Sequence, residues 1–220
     1  MLTAYPAERA AALAGVPLST LHYWARTELL VPGVSAERVE LWSYDDLLGL
    51  RTIDWLRCEK RVPGDRIVPP TTMPAIRHAL RRLPQVRLPL WDEDRRPTLL
   101  VDRSDNVHLI GEGDRVESVT GQRELGVDVL DLLAPFGDPA GPHGPDLRRP
   151  RPHLRIVPGK LAGEPHVERT RVETQAIAAL SLRGYSVGEI EAMDPFLAAQ
   201  AVEEAVDLEQ QLSAYVARAA

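Results

Sequence analysis

The alternation of apolar and polar residues near the start of the chain predicts two short helices joined by a tight turn. Residues 8–14 are rich in strong helix formers, and Gly15 suits a helix C-terminus, where positive φ is often needed. Pro17 suits the first turn of a second helix, in which Leu18, Leu21 and Trp24 would face the core. Two helices joined in this way form the motif that places its second helix in the DNA major groove.

The other side of the second helix carries side chains that bind nucleic acid in other proteins. Ser, Thr, Tyr and Arg side chains donate hydrogen bonds to phosphates, and Arg also pairs with guanine. Ser19 and Thr20 are also expected to cap the helix. The candidate DNA contacts in this segment are Ser19, Thr20, His22, Tyr23 and Arg26.

A third helix is predicted over residues 45–57, and a basic amphipathic helix over 74–83. In the basic helix, apolar residues recur every three or four positions, while Arg77 and Arg81 fall on other faces. This helix either packs on the first domain or presents Arg77 and Arg81 to phosphates.

The middle of the chain has the short apolar runs and turn clusters of a small sheet. Residues 98–102, 107–110 and 116–119 are expected to form a three-stranded meander, and residues 127–133 a short helix.

Residues 135–153 are predicted to be a semi-rigid linker, because six prolines and three glycines interrupt them between positions 135 and 152. Arg148, Arg149 and Arg151 lie in this stretch. They could solubilise a tether, contact phosphates or contact a protein partner.

Three helices are predicted after the linker. The first covers residues 174–183 and stops at Gly184, and Ser186 with Glu189 forms a capping box for the second. The third is expected to start at Asp194-Pro195. Together they predict a homeodomain-like module.

The last helix has an apolar seam with a period of 3.5 residues, which is typical of a helix that packs against another helix. We expect this seam to mediate self-association or partner binding, with Leu208, Leu212 and Tyr215 as contacts and Arg218 at its end. Its members are Ala201, Ala205, Leu208, Leu212, Tyr215 and Ala219.

Composition and charge narrow the range of functions. Hydrophobic residues make up 44% of the 220 residues and charged residues 26%, so a packed core is expected. The net charge of −6 argues against indiscriminate nucleic-acid coating. Residues 61–90 nevertheless hold six basic residues against one acidic, and residues 141–171 hold seven against three, which allows a local anionic partner.

Nothing in the sequence indicates an enzyme, a metal site or a cofactor. No nucleophile–base pair, glycine-rich phosphate loop or metal-ligand spacing stands out. Cys58 is the only cysteine, and no signal peptide or membrane span is visible. The sequence therefore predicts a soluble, cytoplasmic protein that binds macromolecules.

The first segment resembles the start of a MerR-like winged helix. The resemblance is carried by residues 14–17 and 19–24, with Leu30-Val31-Pro32 and residues 42–47 further along. It implies that a wing follows the second helix. His22 stands where that family usually has an arginine, and the wing lacks the usual Gly-Tyr-Arg.

Residues 156–212 resemble domain-of-unknown-function family 433, a family that includes VapB-type antitoxins. Ala162 and Arg169 stand where that family usually has glycine, and Arg169 would be costly in a turn that needs positive φ. Either the loop has changed, or a basic contact has been gained. Arg169, Arg171 and Thr174, at the start of a helix, are further candidate DNA contacts. The matching stretches are 163–165, 170–172, 177–180, 184–190 and 200–205.

The two resemblances together imply the antitoxin of a type II toxin–antitoxin system. Such a protein would neutralise a PIN-domain ribonuclease and bind operator DNA, as a homodimer, to repress its own operon. An arginine from positions 148, 149, 151 or 218 could enter the acidic Mg²⁺ pocket of such a toxin. The alternative is a stand-alone DNA-binding regulator without a toxin.

The expected fold is mainly α, of the α+β kind, with four parts along the chain. Residues 1–90 would form the winged helix-turn-helix with the basic helix, and residues 91–134 a β-rich subdomain. Residues 135–153 would be the linker and residues 154–220 the three-helix module.

Overall fold

The computed structural model describes residues 4–36, 39–62, 66–82, 98–101, 107–110, 128–137 and 143–219. The fold is mainly helical with a few short antiparallel strands, as the sequence predicted. The chain divides into two compact units, one made of residues 1–47 and 134–220 and the other of residues 48–133. None of the described helices has the length and apolar character needed to cross a membrane.

The first unit begins with the predicted helix-turn-helix. Helix α1 covers Ala7–Ala14, and α2 covers Leu18–Arg26. Gly15 ends α1 at φ 73°, and its N–H donates to Ala11 O (2.9 Å), which confirms its predicted role. Ser19 and Thr20 do not cap α2, because the helix begins at Leu18 after Pro17 and has no side-chain cap. That part of the prediction was wrong.

A two-stranded sheet and a third helix complete this part of the chain. Strand β1 (Tyr5–Pro6) pairs antiparallel with β2 (Leu41–Trp42). Helix α3 covers Tyr44–Arg57, within a residue of its predicted bounds. Its start is fixed by Asp46, whose Oδ2 accepts from the N–H groups of Ser43 (2.6 Å) and Gly33 (2.8 Å). The first turn of α3 belongs to the first unit and its remainder to the second.

The second unit contains a hairpin, a helix and a three-stranded sheet. Strands β3 (Lys60–Val62) and β4 (Arg66–Val68) pair antiparallel, and α4 covers Met73–Arg82. Strands β5 (Thr98–Val101), β6 (Val107–Ile110) and β7 (Asp128–Asp131) form an antiparallel sheet in the order β6-β5-β7. Arg51 is buried here, and its Nη1 donates to Leu132 O (3.1 Å).

The sheet confirms two predicted strands and corrects one predicted helix. Residues 128–131 form β7 instead of a helix, pairing with β5 so that Leu130 lies opposite Leu99. The predicted segment 127–133 has only seven residues, five apolar and two acidic, and so short a stretch does not distinguish a helix from a strand by periodicity alone. The strand predicted at 116–119 lies outside the described residues.

The chain returns to the first unit through two more hairpins. Strands β8 (Phe136–Gly137) and β9 (His143–Gly144) pair antiparallel, as do β10 (Leu154–Arg155) and β11 (His166–Val167). Leu147 and Leu154 are fully buried, and Tyr44 Oη donates to Leu147 O (2.9 Å). Residues 143–153 are therefore packed structure and not the predicted linker, because the Leu147 side chain enters the core.

Three helices complete the first unit. Helix α5 covers Thr174–Leu182, α6 covers Val187–Met193 and α7 covers Ala199–Ala219. The predicted capping box is present, with Ser186 Oγ accepting from Glu189 N and Glu189 Oε2 accepting from Ser186 N. Helix α7 starts five residues later than expected at Ala199, and it packs against α1, α2, α5 and α6.

Candidate nucleic-acid interface

Helix α2 is held by its apolar face and leaves a polar face outward. Leu21 and Trp24 are at most 1% exposed, so burial fixes the orientation of the helix. Ser19, His22 and Arg26 are exposed, Tyr23 is 47% exposed and Thr20 is half-buried. The five side chains expected to contact DNA in this segment therefore share the outer side of the helix, with Thr20 at its edge.

Two contacts organise this outer face. The Arg26 guanidinium lies 5.9 Å from the centre of the Tyr23 ring, within range of a cation–π interaction. His22 Nδ1 lies 3.1 Å from Glu40 Oε2, and Glu40 directly precedes β2. The Tyr23 hydroxyl and the Arg26 guanidinium remain able to donate to phosphates or to base edges.

The segment between α2 and α3 forms a small β structure in the position expected for the wing. Leu41 O accepts from Val34 N and Ser35 N (both 3.1 Å), and Leu41 N donates to Ser35 O (2.8 Å). Val39, at its outer end, is 61% exposed.

The seam of α7 is buried inside the first unit. Leu208, Leu212 and Tyr215 are at most 5% exposed, because α7 packs against α1 and α5 of the same chain. The expectation that these three residues bind a partner was wrong. The 3.5-residue period did identify a packing seam, but the helices that cover it lie in the same unit.

The outward face of α7 is acidic and is partly covered by residues 143–153. Arg151 donates from Nε and Nη2 to Asp207 Oδ2 (2.9 and 2.7 Å) and from Nη2 to Gln211 Oε1 (2.6 Å). His153 N donates to Glu204 Oε2 (2.8 Å). Arg151 thus pairs with α7 at the surface of the same unit, and its role as a partner contact stays a prediction.

The other candidate arginines differ in their environments. Arg149 is exposed, with its Nε donating to Pro152 O (3.3 Å), and Arg148 is half-buried. The backbone N–H groups of both donate to Asp146 Oδ1. Arg77 and Arg81 lie exposed on α4 in the second unit. Arg218 falls in the last turn of α7, and its side chain lies outside the described part of the chain.

Two of the three candidate DNA contacts at the start of α5 are exposed, and one is buried. Arg169 and Arg171 are exposed, but Thr174 is fully buried. Thr174 Oγ1 donates to Pro165 O (3.2 Å) and to Glu209 Oε1. The hydroxyl is used inside the protein, so the expectation that Thr174 contacts DNA was wrong.

A buried ion-pair network joins the helix-turn-helix to the C-terminal helices. Arg9 of α1 donates from Nη1 and Nη2 to Glu209 (2.7 and 2.9 Å) and from Nε to Glu164 Oε2 (2.9 Å). Burial would lower the pKa of Arg9, but its hydrogen bonds and charge interactions with the two carboxylates outweigh this and raise it. Burial raises the pKa of Glu164 despite the Arg9 charge.

Two further contacts strengthen this junction. Tyr5 Oη donates to Gly163 O (2.7 Å), and Ala4 N donates to Ala162 O (3.3 Å). Burial and the Glu164 charge raise the pKa of Tyr5, so its hydroxyl stays protonated as a donor. No local pattern in the sequence indicates Arg9, Glu164 and Glu209, because these partners lie 155 and 200 residues apart.

Two family matches agree with this architecture. Residues 5–61 match the family described as MerR HTH family regulatory protein, and residues 155–207 match the family described as protein of unknown function (DUF433). No curated protein and no solved structure matches the chain. Across the described ranges, no group of three His, Cys, Asp or Glu side chains could hold a metal ion. The helix-turn-helix match indicates a DNA-binding regulatory protein rather than an enzyme.

Proposed function

We propose that the protein is a repressor that binds the operator of its own operon through α2, and an antitoxin that holds a PIN-domain ribonuclease inactive. The observation that carries the first part is the outer face of α2. Ser19, His22, Tyr23 and Arg26 point outward there, while Leu21 and Trp24 anchor the helix in the core. A helix held in this way can enter a major groove without disturbing the fold.

The electrostatics of the first unit favour α2 over α7 as the DNA-reading helix. Helix α7 follows α6 across a short turn, so it too could act as the second helix of a helix-turn-helix. Its outward residues include Glu203, Glu204 and Asp207, however, and residues 143–153 donate hydrogen bonds to the last two. Carboxylates repel phosphates, so we assign DNA reading to α2.

The operator is expected to be a two-fold repeat. A single helix-turn-helix reads only a few base pairs, and proteins of this kind commonly bind two half-sites one helical turn apart as dimers. We therefore propose that a homodimer binds the operator.

The antitoxin part of the proposal is supported by an exposed apolar surface on the C-terminal helices. Leu182 is 90% exposed and Phe196 83%, with Met193 and Tyr185 also exposed. All four come from residues 182–196, and we infer that they form one exposed apolar surface, which is typical of a protein-binding site. This apolar surface replaces the α7 seam as the proposed toxin contact. Arg149 and Arg218 remain proposed contacts to the acidic toxin pocket.

The DNA part is tested by titrating a fluorescent duplex of the chain's own promoter. Arg26→Ala combined with Tyr23→Phe should weaken binding roughly tenfold or more and reduce the salt dependence of the affinity. Arg183→Ala, which removes an exposed arginine at the end of α5, should leave the affinity unchanged. Equal weakening by both variants would contradict the assignment to α2.

The antitoxin part is tested by co-expression with the product of the adjacent gene. A stable complex that inhibits the ribonuclease is expected. Leu182→Ser with Phe196→Ser should abolish co-purification, whereas Val31→Ser, at an exposed apolar residue near α2, should not. If no complex forms while the promoter is still bound, the protein is a stand-alone regulator.

A further inference from the structure

Arg169 has a backbone conformation that an arginine adopts at a cost. It lies exposed in the loop between β11 and α5, with φ 63°. This left-handed region is easily reached by glycine but is unfavourable for residues with a Cβ. An arginine here lowers the stability of the fold, unless its side chain makes a compensating contact.

The loop itself holds this conformation. Thr170 N donates to Val167 O (3.1 Å), and Thr170 Oγ1 donates to the same oxygen (3.0 Å). Val172 N then donates to Thr170 Oγ1 (3.0 Å). These bonds involve Thr170 and the backbone, so none of them requires an arginine at position 169.

The Arg169 side chain gains no compensating contact inside the protein. In the first unit, Arg9, Arg151 and Arg155 each bind a carboxylate, the last through Nη2 to Glu168 Oε1 (2.8 Å). Among the residues that the structure describes, neither the Arg169 nor the Arg171 side chain has a hydrogen-bonding or ionic partner. Two cations, two residues apart on a fixed loop, are thus available to an external anion.

We propose that Arg169, together with Arg171, binds the phosphate backbone of the operator, and that the unfavourable conformation of Arg169 is retained for this contact. The inference rests on the proposed DNA-binding function. It adds phosphate contacts from the C-terminal module to those made by α2. The guanidinium group suits this role, because it binds phosphate oxygens through two parallel hydrogen bonds and stays charged.

The substitution Arg169→Gly separates this role from a purely structural one. Glycine relieves the backbone conformation and removes the charge, so the variant should melt at a higher temperature and yet bind DNA more weakly. We expect a roughly three- to tenfold loss of affinity for the promoter duplex, and a smaller slope of log affinity against log salt by about one.

Ala162→Gly is the matched control. Ala162 also has a positive φ, 52°, but its side chain carries no charge. This variant should gain thermal stability like Arg169→Gly and keep the wild-type affinity and salt slope. Arg169→Lys should retain most of the salt dependence, because it keeps the charge.

Each outcome has a distinct meaning. A stabilised Arg169→Gly variant with unchanged DNA affinity and salt slope would overturn the inference and leave the proposed function intact. An Arg169→Gly variant that melts no higher than wild type would overturn the claim that the conformation is costly. A wild-type protein that binds no promoter DNA would overturn the proposed function itself.

Discussion

Arg9 and Glu209 form a bidentate ion pair between the first helix and the last, with N–O distances of 2.7 and 2.9 Å. The pair is almost completely buried, and Glu164 supplies a second carboxylate to the same guanidinium. Arg9 lies in the segment that matches the MerR family and Glu164 in the one that matches DUF433, so the two segments meet through a polar contact within one compact unit.

Removing Arg9 should destabilise the first unit strongly. Arg9→Ala leaves two buried carboxylates without their cation, and breaking a buried pair in this way typically costs about 3–5 kcal/mol. Urea unfolding should show this loss, while Arg26→Ala on the exposed face of α2 should change stability by less than about 0.5 kcal/mol. Similar small losses for both variants would show that the network contributes little.

Gly144 should be intolerant of any side chain. A Cβ at this position would lie 2.5 Å from Leu13 O and 2.7 Å from Gly15 N, which are backbone atoms of the helix-turn-helix. Gly144→Ala should therefore destabilise the protein by about 2 kcal/mol or more. Gly188→Ala is the control. Gly188 lies in α6, and a Cβ there would meet no other atom within 4 Å. This substitution should stabilise the protein by about 0.5–1 kcal/mol, because alanine favours a helix more than glycine does. Equal melting temperatures for the two variants would contradict this packing.

Leu208 should behave as a core residue and not as an interface residue. Its side chain is fully buried, so Leu208→Ala should cost about 2–5 kcal/mol of unfolding free energy at any protein concentration. An interface residue would instead change the oligomeric state with little effect on the fold. Thermal melts at several concentrations, with light scattering on the same samples, distinguish the two cases. A Leu208→Ala variant that keeps its stability but changes its oligomeric mass in light scattering would contradict the core role of Leu208.

Acid should destabilise the protein partly through His166. Burial, aided by the charges of Lys160 and Arg155, lowers the pKa of this histidine below 6.5, although its Nδ1 donates to Glu164 O. An unfolded chain has the ordinary pKa and takes up the proton first, so stability is lost as the pH falls below 6.5.

His166→Asn should remove this contribution. Between about pH 7.5 and about pH 5.5, the unfolding free energy of the variant should fall less than that of the wild type. The difference between the two slopes should be at most about 1.4 kcal/mol per pH unit. The substitution His22→Asn, on the exposed face of α2, controls for the loss of a histidine. An unchanged pH dependence in His166→Asn would exclude His166 as the titrating group.

Local signals in the sequence predicted the helical elements well. Gly15 ends α1 at positive φ, and Ser186 with Glu189 builds the capping box, because both effects depend on residues within a few positions of each other. The outward face of α2 followed from the spacing of Leu21 and Trp24, since a helix with one buried edge must expose the other.

Long-range packing could not be predicted in the same way. The α7 seam has the same period whether it packs against another chain or against α5 of the same chain, so the period alone does not show that Leu208 lies in the core. The prolines of residues 143–153 exclude a helix, but they do not prevent the chain from lying against α7 through Arg151 and His153. The positive φ at Arg169 is predicted only by the resemblance to a family that usually has glycine at this position, and not by the local sequence.

Site-specific photo-crosslinking tests most directly which helix reads DNA. A photoreactive amino acid is placed at Ser19, exposed on α2, or at Gln200, exposed at the start of α7, and each protein is irradiated with the promoter duplex. The account predicts a covalent protein–DNA product from position 19 and none from position 200. A product from position 200 alone would contradict it, because DNA would then lie on the acidic helix.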